Sequence, residues 1–134
     1  QMLNTPVSAA ALYVALLILG NIILQVRVIR QRTAKSISVG HGNDRDLEQA
    51  MRVHGNYAEN VPFGLAALIL LALGGDSVWP VHLVGVLLAA GRIAHAVGLG
   101  GSIGTSAGRV AGMVLTFASL AIAALVLLSK AIAG

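Results

Sequence analysis

The chain has 134 residues, of which 57% are hydrophobic and only 10% are charged. This composition is too apolar for an ordinary soluble domain, and it predicts an all-α integral membrane protein with one domain over residues 1–134. The sequence contains no cysteine, which excludes disulfides, thiolate metal sites and a cysteine nucleophile in this chain. The first apolar run is too long for the core of a cleavable signal peptide, so we expect it to be retained.

Four apolar stretches are each long enough to cross a hydrocarbon core of roughly 30 Å as a helix of about 20 residues. The first is followed by the polar stretch 32–46, which we expect to be a loop. In the second, Asp46 is the expected N-cap and Pro62 is expected to kink the helix. Short connections favour an antiparallel four-helix bundle. The predicted helices cover residues 7–30, 47–73, 80–97 and 109–129.

Glycine is frequent in the two later connections. Gly74 and Gly75 begin a short turn. Trp79 follows at the level expected for the membrane interface, where tryptophan is enriched, and Pro80 suits the first turn of a helix. Between the third and fourth helices, glycines recur every four residues. They form either a small-residue packing face or a flexible turn whose spacing is accidental. These glycines are Gly100, Gly104, Gly108 and Gly112.

The basic residues are distributed unevenly along the chain, whose formal net charge is +4. All but Lys130 fall in or beside the first and third connections. This asymmetry predicts that those connections are cytoplasmic and that both termini lie outside, and it argues against a nucleic acid partner. The residues concerned are Arg27, Arg30, Arg32, Lys35, Arg45, Arg52, Arg92 and Arg109.

Alternating helix directions bring polar residues from all four helices to one level of the membrane. In the second helix, the polar residues Arg52, Asn56 and Glu59 fall within a narrow stripe, because successive residues of a helix are about 100° apart. Charged groups at such a depth usually line a protein interior and mark a functional site. The polar level contains Arg27, Arg30, Arg52, Asn56, Glu59, Arg92, His95 and Arg109.

Glu59 is the deepest residue of the stripe, so its carboxylate requires a cation or hydrogen-bond donors nearby. A structural ion pair with Arg52 or Arg92 is one interpretation. The other is a site for an anionic small molecule that also carries an ammonium group. Arginines would bind its carboxylates through forked hydrogen bonds, Glu59 would bind the ammonium, and Asn56 a peptide group.

The histidines give weaker signals. His95 follows Arg92 by three residues and therefore shares its helical face. Taken alone, such a histidine is either a packing residue or a ligand. No spacing of histidines and carboxylates is typical of a metal site, and the scattered serines support no Ser-His-Asp arrangement, so we expect no bound metal.

Three sequence blocks in chain order resemble the MAPEG family, the membrane-associated proteins in eicosanoid and glutathione metabolism, and in particular its short bacterial members. The family includes microsomal glutathione transferases, microsomal prostaglandin E synthase and leukotriene C synthase. The resemblance covers nearly the whole chain. The blocks are Arg52-x-His-x-Asn56-x-x-Glu59-Asn-x-Pro62, Arg92-Ile-Ala-His95-Ala-Val-Gly and Arg109-Val-Ala-Gly-Met-Val-Leu-Thr.

The resemblance implies a homotrimer of four-helix subunits in a bacterial inner membrane, with glutathione as cosubstrate between neighbouring subunits at the cytoplasmic side. The implied activity is glutathione transfer to lipophilic electrophiles, or reduction of lipid hydroperoxides, entering from the membrane lipids. Arg109 matches the arginine that activates the thiol. The implied glutathione-binding set, taken with the polar level, is Arg27, Arg30, Arg52, Asn56, Glu59, Arg92 and His95.

Two positions depart from the family pattern. Leu99 stands where several eicosanoid-processing members carry a tyrosine, and Val110 follows Arg109 where the prostaglandin enzyme has a serine. Two other functions therefore remain alternatives: a non-catalytic membrane protein that binds lipids or thiols, and a small transporter. The arginines around Glu59 argue against the transporter, because they suit an anion rather than a cationic drug.

Overall fold

The structure is a computed structural model that describes residues 3–75, 77–101 and 106–134. These residues form four α-helices and no β-strand. The helices contain 30, 29, 23 and 27 residues, so each is long enough to span a bilayer. The predicted all-α arrangement is confirmed, with four helices that are long and apolar enough to cross a membrane. The helices are α1 (Pro6–Lys35), α2 (Arg45–Leu73), α3 (Trp79–Gly101) and α4 (Ala107–Ala133).

The connection between α1 and α2 is shorter than predicted, and the predicted N-cap of α2 is wrong. Asp44, not Asp46, caps α2, with its Oδ1 accepting a hydrogen bond from the Leu47 amide at 2.8 Å. Asp44 has the extended backbone that an N-cap requires, whereas Asp46 already lies in the first helical turn. Helix α2 continues through Pro62 to Leu73, and the kink stays a prediction.

Two cationic side chains at the end of α1 hold this connection in place through hydrogen bonds and a salt bridge. Arg32 Nη1 donates to the carbonyl oxygens of Ile37 at 3.3 Å and Gly40 at 2.8 Å. Lys35 Nζ lies 2.5 Å from Asp44 Oδ1. The Lys35 ammonium, and after it the Leu47 amide, hold the pKa of the Asp44 carboxyl below its usual value. The connection is thus anchored at both ends.

The bundle buries a core of small and aliphatic side chains and exposes many large apolar ones. Leu68 and Leu88 are fully buried, whereas Ile23, Phe63 and Leu125 are about two-thirds exposed. Apolar side chains on the outside of all four helices suit a surface that faces lipid.

Helices α3 and α4 make the most extensive contact of the bundle because glycines let their backbones approach closely. A Cβ at Gly91 would lie 2.9 Å from the Thr116 amide nitrogen, and one at Gly112 would lie 2.6 Å from the Cβ of His95. A Cβ at Gly98 would overlap the backbone of Gly108. Small residues are therefore required along this interface.

The glycine repeat divides between two helices. Gly100 belongs to α3, Gly108 and Gly112 belong to α4, and Gly104 lies outside the described residues. The four-residue spacing therefore does not mark one helix face. Gly108 and Gly112 nevertheless pack against α3, so part of the packing interpretation is correct.

Candidate functional site

A cavity of about 440 Å³ lies at the end of the bundle where α2 and α4 begin. Its walls come from the α1–α2 connection and from α2, α3 and α4. It therefore brings together side chains that are far apart in sequence, including five of the predicted site residues. The lining residues are His41, Glu48, Met51, Arg52, Gly55, Asn56, Glu59, His95 and Arg109.

Helix α2 forms the longest wall of the cavity. Arg52, Asn56 and Glu59 line it as the stripe predicted, and Glu48 extends the stripe by one turn. The side chains of Arg52 and Glu59 are exposed. Within the described residues, Glu59 forms neither a salt bridge nor a side-chain hydrogen bond, so the structural ion pair considered for it is not formed there.

Arg92 lies behind the cavity wall rather than on it, with only 3% of its surface exposed. Its Nη2 donates to Asn56 Oδ1 at 2.7 Å, and its Nη1 donates to Thr116 Oγ1 at 3.4 Å. Its Cζ lies 5.6 Å from the ring centroid of Tyr57, within the range of a cation–π contact. Arg92 therefore contacts Asn56, which lines the cavity, and Tyr57 and Thr116, which do not.

The bond from Arg92 determines the orientation of the Asn56 amide. A guanidinium can only donate, so the atom that accepts must be the Asn56 oxygen. The two amide hydrogens of Asn56 then remain for a partner in the cavity that Asn56 lines. Asn56 thus presents donors, which suits a carbonyl or carboxylate oxygen of a ligand.

Helices α3 and α4 contribute His95 and Arg109 to the opposite wall. His95 is buried where α3 meets Gly112, and its Nδ1 lies 3.4 Å from Arg92 Nη2. Arg109 lies in the first turn of α4, which Ser106 caps by accepting from the Arg109 amide at 3.2 Å. Arg109 therefore stands at the positive end of a helix dipole, as its predicted position requires.

Arg27 and Arg30 do not line this cavity. Both belong to α1, where Arg27 is half-buried and Arg30 is exposed. Their assignment to a ligand stays a prediction. The departure noted at Leu99 concerns a side chain outside those that the structure describes, and Val110 is exposed.

Sequence reasoning missed four residues of the cavity wall. Glu48 precedes Arg52 by four residues, so helical periodicity was sufficient to find it. His41 belongs to a connection, whose path no periodicity predicts. With two arginines and two glutamates on its wall, the cavity is less arginine-rich than the polar level suggested, because Arg27, Arg30 and Arg92 lie elsewhere.

Four apolar helices with a charged cavity at one end define a helical membrane protein. Residues 10–129 match the MAPEG family, and the chain therefore belongs to that family. It is 33% identical over 89 residues to "Inner membrane protein YecN" of Escherichia coli strain K12, which covers 66% of this chain and 68% of the relative. The protein of that name from Escherichia coli O6:H1 gives the same values. No solved structure matches the chain.

Proposed function

We propose that this protein is a membrane-embedded, glutathione-dependent transferase or peroxidase that acts on lipophilic electrophiles or lipid hydroperoxides. The observation that carries the proposal is that Arg52, Asn56, Glu59, His95 and Arg109 all line one and the same cavity. These residues belong to the three sequence blocks that resemble the MAPEG family. The match of residues 10–129 to that family supports carrying the family's roles over to them.

The chemistry of the wall fits glutathione, a tripeptide with two carboxylates, one ammonium group and one thiol. Two guanidinium groups can bind carboxylates or a thiolate through forked, charge-assisted hydrogen bonds. The Glu59 carboxylate has no partner among the described residues and suits the ammonium. The amide hydrogens of Asn56 suit a carbonyl oxygen.

Arg109 is the proposed catalytic residue. A free thiol has a pKa of roughly 8.5, and a neighbouring guanidinium stabilises the thiolate, which is the nucleophile. The N-terminal end of α4 adds a positive potential of the same sign. The thiolate then attacks an electrophilic carbon and displaces its leaving group or adds across its double bond. Alternatively it attacks a peroxide oxygen, which breaks the O–O bond, releases the alcohol after protonation and leaves a glutathione sulfenic acid that a second glutathione converts to the disulfide and water. In both cases the protein contributes charge and positioning rather than a covalent intermediate.

The proposal includes a homotrimer in the bacterial inner membrane, with the cavity toward the cytoplasm and both termini outside. The name of the Escherichia coli relative supports the membrane, and the distribution of basic residues supports the orientation. Arg27 and Arg30 lie away from the cavity of their own chain. In a trimer, the corresponding two arginines of a neighbouring subunit would add the positive charge that the wall of a single chain lacks.

The decisive experiment measures the ultraviolet absorbance of the thiolate when glutathione is added to the detergent-solubilised protein. We expect a thiolate signal in the wild type, none in Arg109→Ala, and a reduced signal in Arg109→Lys, which keeps the charge but loses the fork. Arg45→Ala is the matched control, because Arg45 is exposed in the first turn of α2 and does not line the cavity.

The same titration separates the competing functions. Binding of glutathione by calorimetry without a thiolate signal would favour the non-catalytic binding protein. Failure of the wild type to bind glutathione at millimolar concentration would contradict the proposal and leave transport as an alternative.

A further inference from the structure

His41 borders the cavity although it lies in the connection between α1 and α2. Its backbone is held on both sides. Arg32 Nη1 donates to the Gly40 carbonyl at 2.8 Å, and the Asp44 amide donates to the His41 carbonyl at 2.9 Å. Gly40 and Gly42 have φ values of 66° and 56°, which glycine adopts without strain. The connection therefore presents this histidine to the cavity in a defined position.

A backbone contact determines which ring nitrogen of His41 carries the hydrogen. The Asn43 amide lies 3.1 Å from His41 Nδ1. An amide N–H can only donate, so Nδ1 must accept, and the neutral ring carries its hydrogen on Nε2. Within the described residues, Nε2 has no hydrogen-bond partner. It is the outer nitrogen of a ring that lines the cavity, and it is available as a donor to a ligand.

His41 belongs to the end of the cavity formed by the first turns of α2. Glu48 and Glu59 are eleven residues apart on one face of α2, which corresponds to about 16 Å along the helix. If Glu59 binds the ammonium of glutathione and the tripeptide extends along this face of α2, its glycine end lies toward the first turns of the helix. Glu48 opposes a carboxylate there, so binding requires donors from other residues.

We propose that His41 is a further glutathione-binding residue, whose Nε2–H donates to the glycine carboxylate together with Arg52. This inference rests on the proposed function, because it assigns one more contact to the same ligand. It makes the α1–α2 connection part of the binding site. It also gives His41 a role in distinguishing ligands that carry a carboxylate at this end from those that do not.

Two substitutions separate the contact with the ligand from the structure of the connection. His41→Asn keeps an acceptor near the position of Nδ1 for the Asn43 amide but removes the outer N–H. His41→Gln places an amide N–H near the position of Nε2. We expect His41→Asn to weaken glutathione binding by roughly ten-fold, as for a lost hydrogen bond to a charged group. His41→Gln should bind more tightly than His41→Asn.

The experiment is calorimetric titration of the detergent-solubilised wild type and both variants with glutathione and with γ-glutamylcysteine, which lacks the glycine. We expect His41→Asn to lose affinity for glutathione while it binds γ-glutamylcysteine as the wild type does. Equal affinity of wild type and His41→Asn for glutathione would overturn the inference, as would an equal loss for both ligands. If the wild type does not bind glutathione, the proposed function itself fails.

Discussion

Arg92 supports Asn56 from behind the cavity, with its Nη2 donating to Asn56 Oδ1 across 2.7 Å. Both partners lie at the junction of α2 and α3, but only Asn56 borders the cavity. The bond directs the amide hydrogens of Asn56 away from Arg92. The orientation of a residue on the wall therefore depends on a buried residue that does not itself line the cavity.

The first prediction concerns this pair. Arg92→Lys removes the planar fork and releases the Asn56 amide, so glutathione affinity should fall by roughly five- to ten-fold. Asn56→Ala should cause a similar loss. In the double variant, the two losses should not add, because both remove the same contact with the ligand. Calorimetric titration of the four proteins measures this coupling, and full additivity would show that Arg92 acts independently of Asn56.

The second prediction concerns the two glutamates on one face of α2. Glu59→Gln removes the charge assigned to the ammonium of glutathione and should weaken binding by ten-fold or more, in the range of roughly 1.5–3 kcal/mol for a hydrogen bond to a charged group. Glu48→Gln is the matched control and should bind glutathione as tightly as the wild type or more tightly, because Glu48 opposes the nearby carboxylate. Unaltered affinity in Glu59→Gln would show that the assignment of the ammonium is wrong.

The third prediction concerns the contact of α3 with α4. A Cβ at Gly112 would lie 2.6 Å from the Cβ of His95, so Gly112→Ala must displace α3 or α4. We expect a loss of about 1–3 kcal/mol in stability, as for other overpacked interiors, together with weaker glutathione binding. Gly55→Ala is the control for stability, because a Cβ there meets nothing within 4 Å beyond its chain neighbours and the local backbone of its own helix. Thermal unfolding of the solubilised proteins provides the comparison.

The fourth prediction concerns pH. The Lys35 ammonium and the Leu47 amide lower the pKa of Asp44 in the folded state. A depressed carboxyl pKa stabilises the fold at pH values above the pKa of the unfolded chain, about 3.9. This stabilisation is lost as the pH falls through the lower pKa of the folded state.

Thermal unfolding between neutral pH and about pH 3 tests this prediction. Asp44→Asn keeps an N-cap but cannot ionise, so the difference in stability between wild type and variant should shrink as the pH is lowered. Asp44→Ala should be less stable than Asp44→Asn at neutral pH, because it also loses the cap. A difference between wild type and Asp44→Asn that does not change with pH would contradict the role of Lys35.

Much of the site could be predicted because it depends on helical periodicity. Arg52, Asn56 and Glu59 share a face of α2 in any helix of that sequence, and they line one cavity in the structure. The place of Arg109 could be predicted from the expected start of α4 alone. Arg92 also lies at the predicted level, but whether it reaches the cavity depends on side-chain packing against Tyr57 and Thr116, which periodicity does not describe.

The sequence by itself determined the membrane-spanning helices and the level at which the polar residues gather, because apolar length and helical spacing are local properties of the chain. Tertiary structure alone decided which of those residues face the cavity. It turned Arg92 toward Asn56, left Arg27 and Arg30 outside the wall, and brought His41 to the rim. Such placements depend on how the helices pack and on the path of a connection held by Arg32 and Lys35, and these contacts join residues that no local pattern relates.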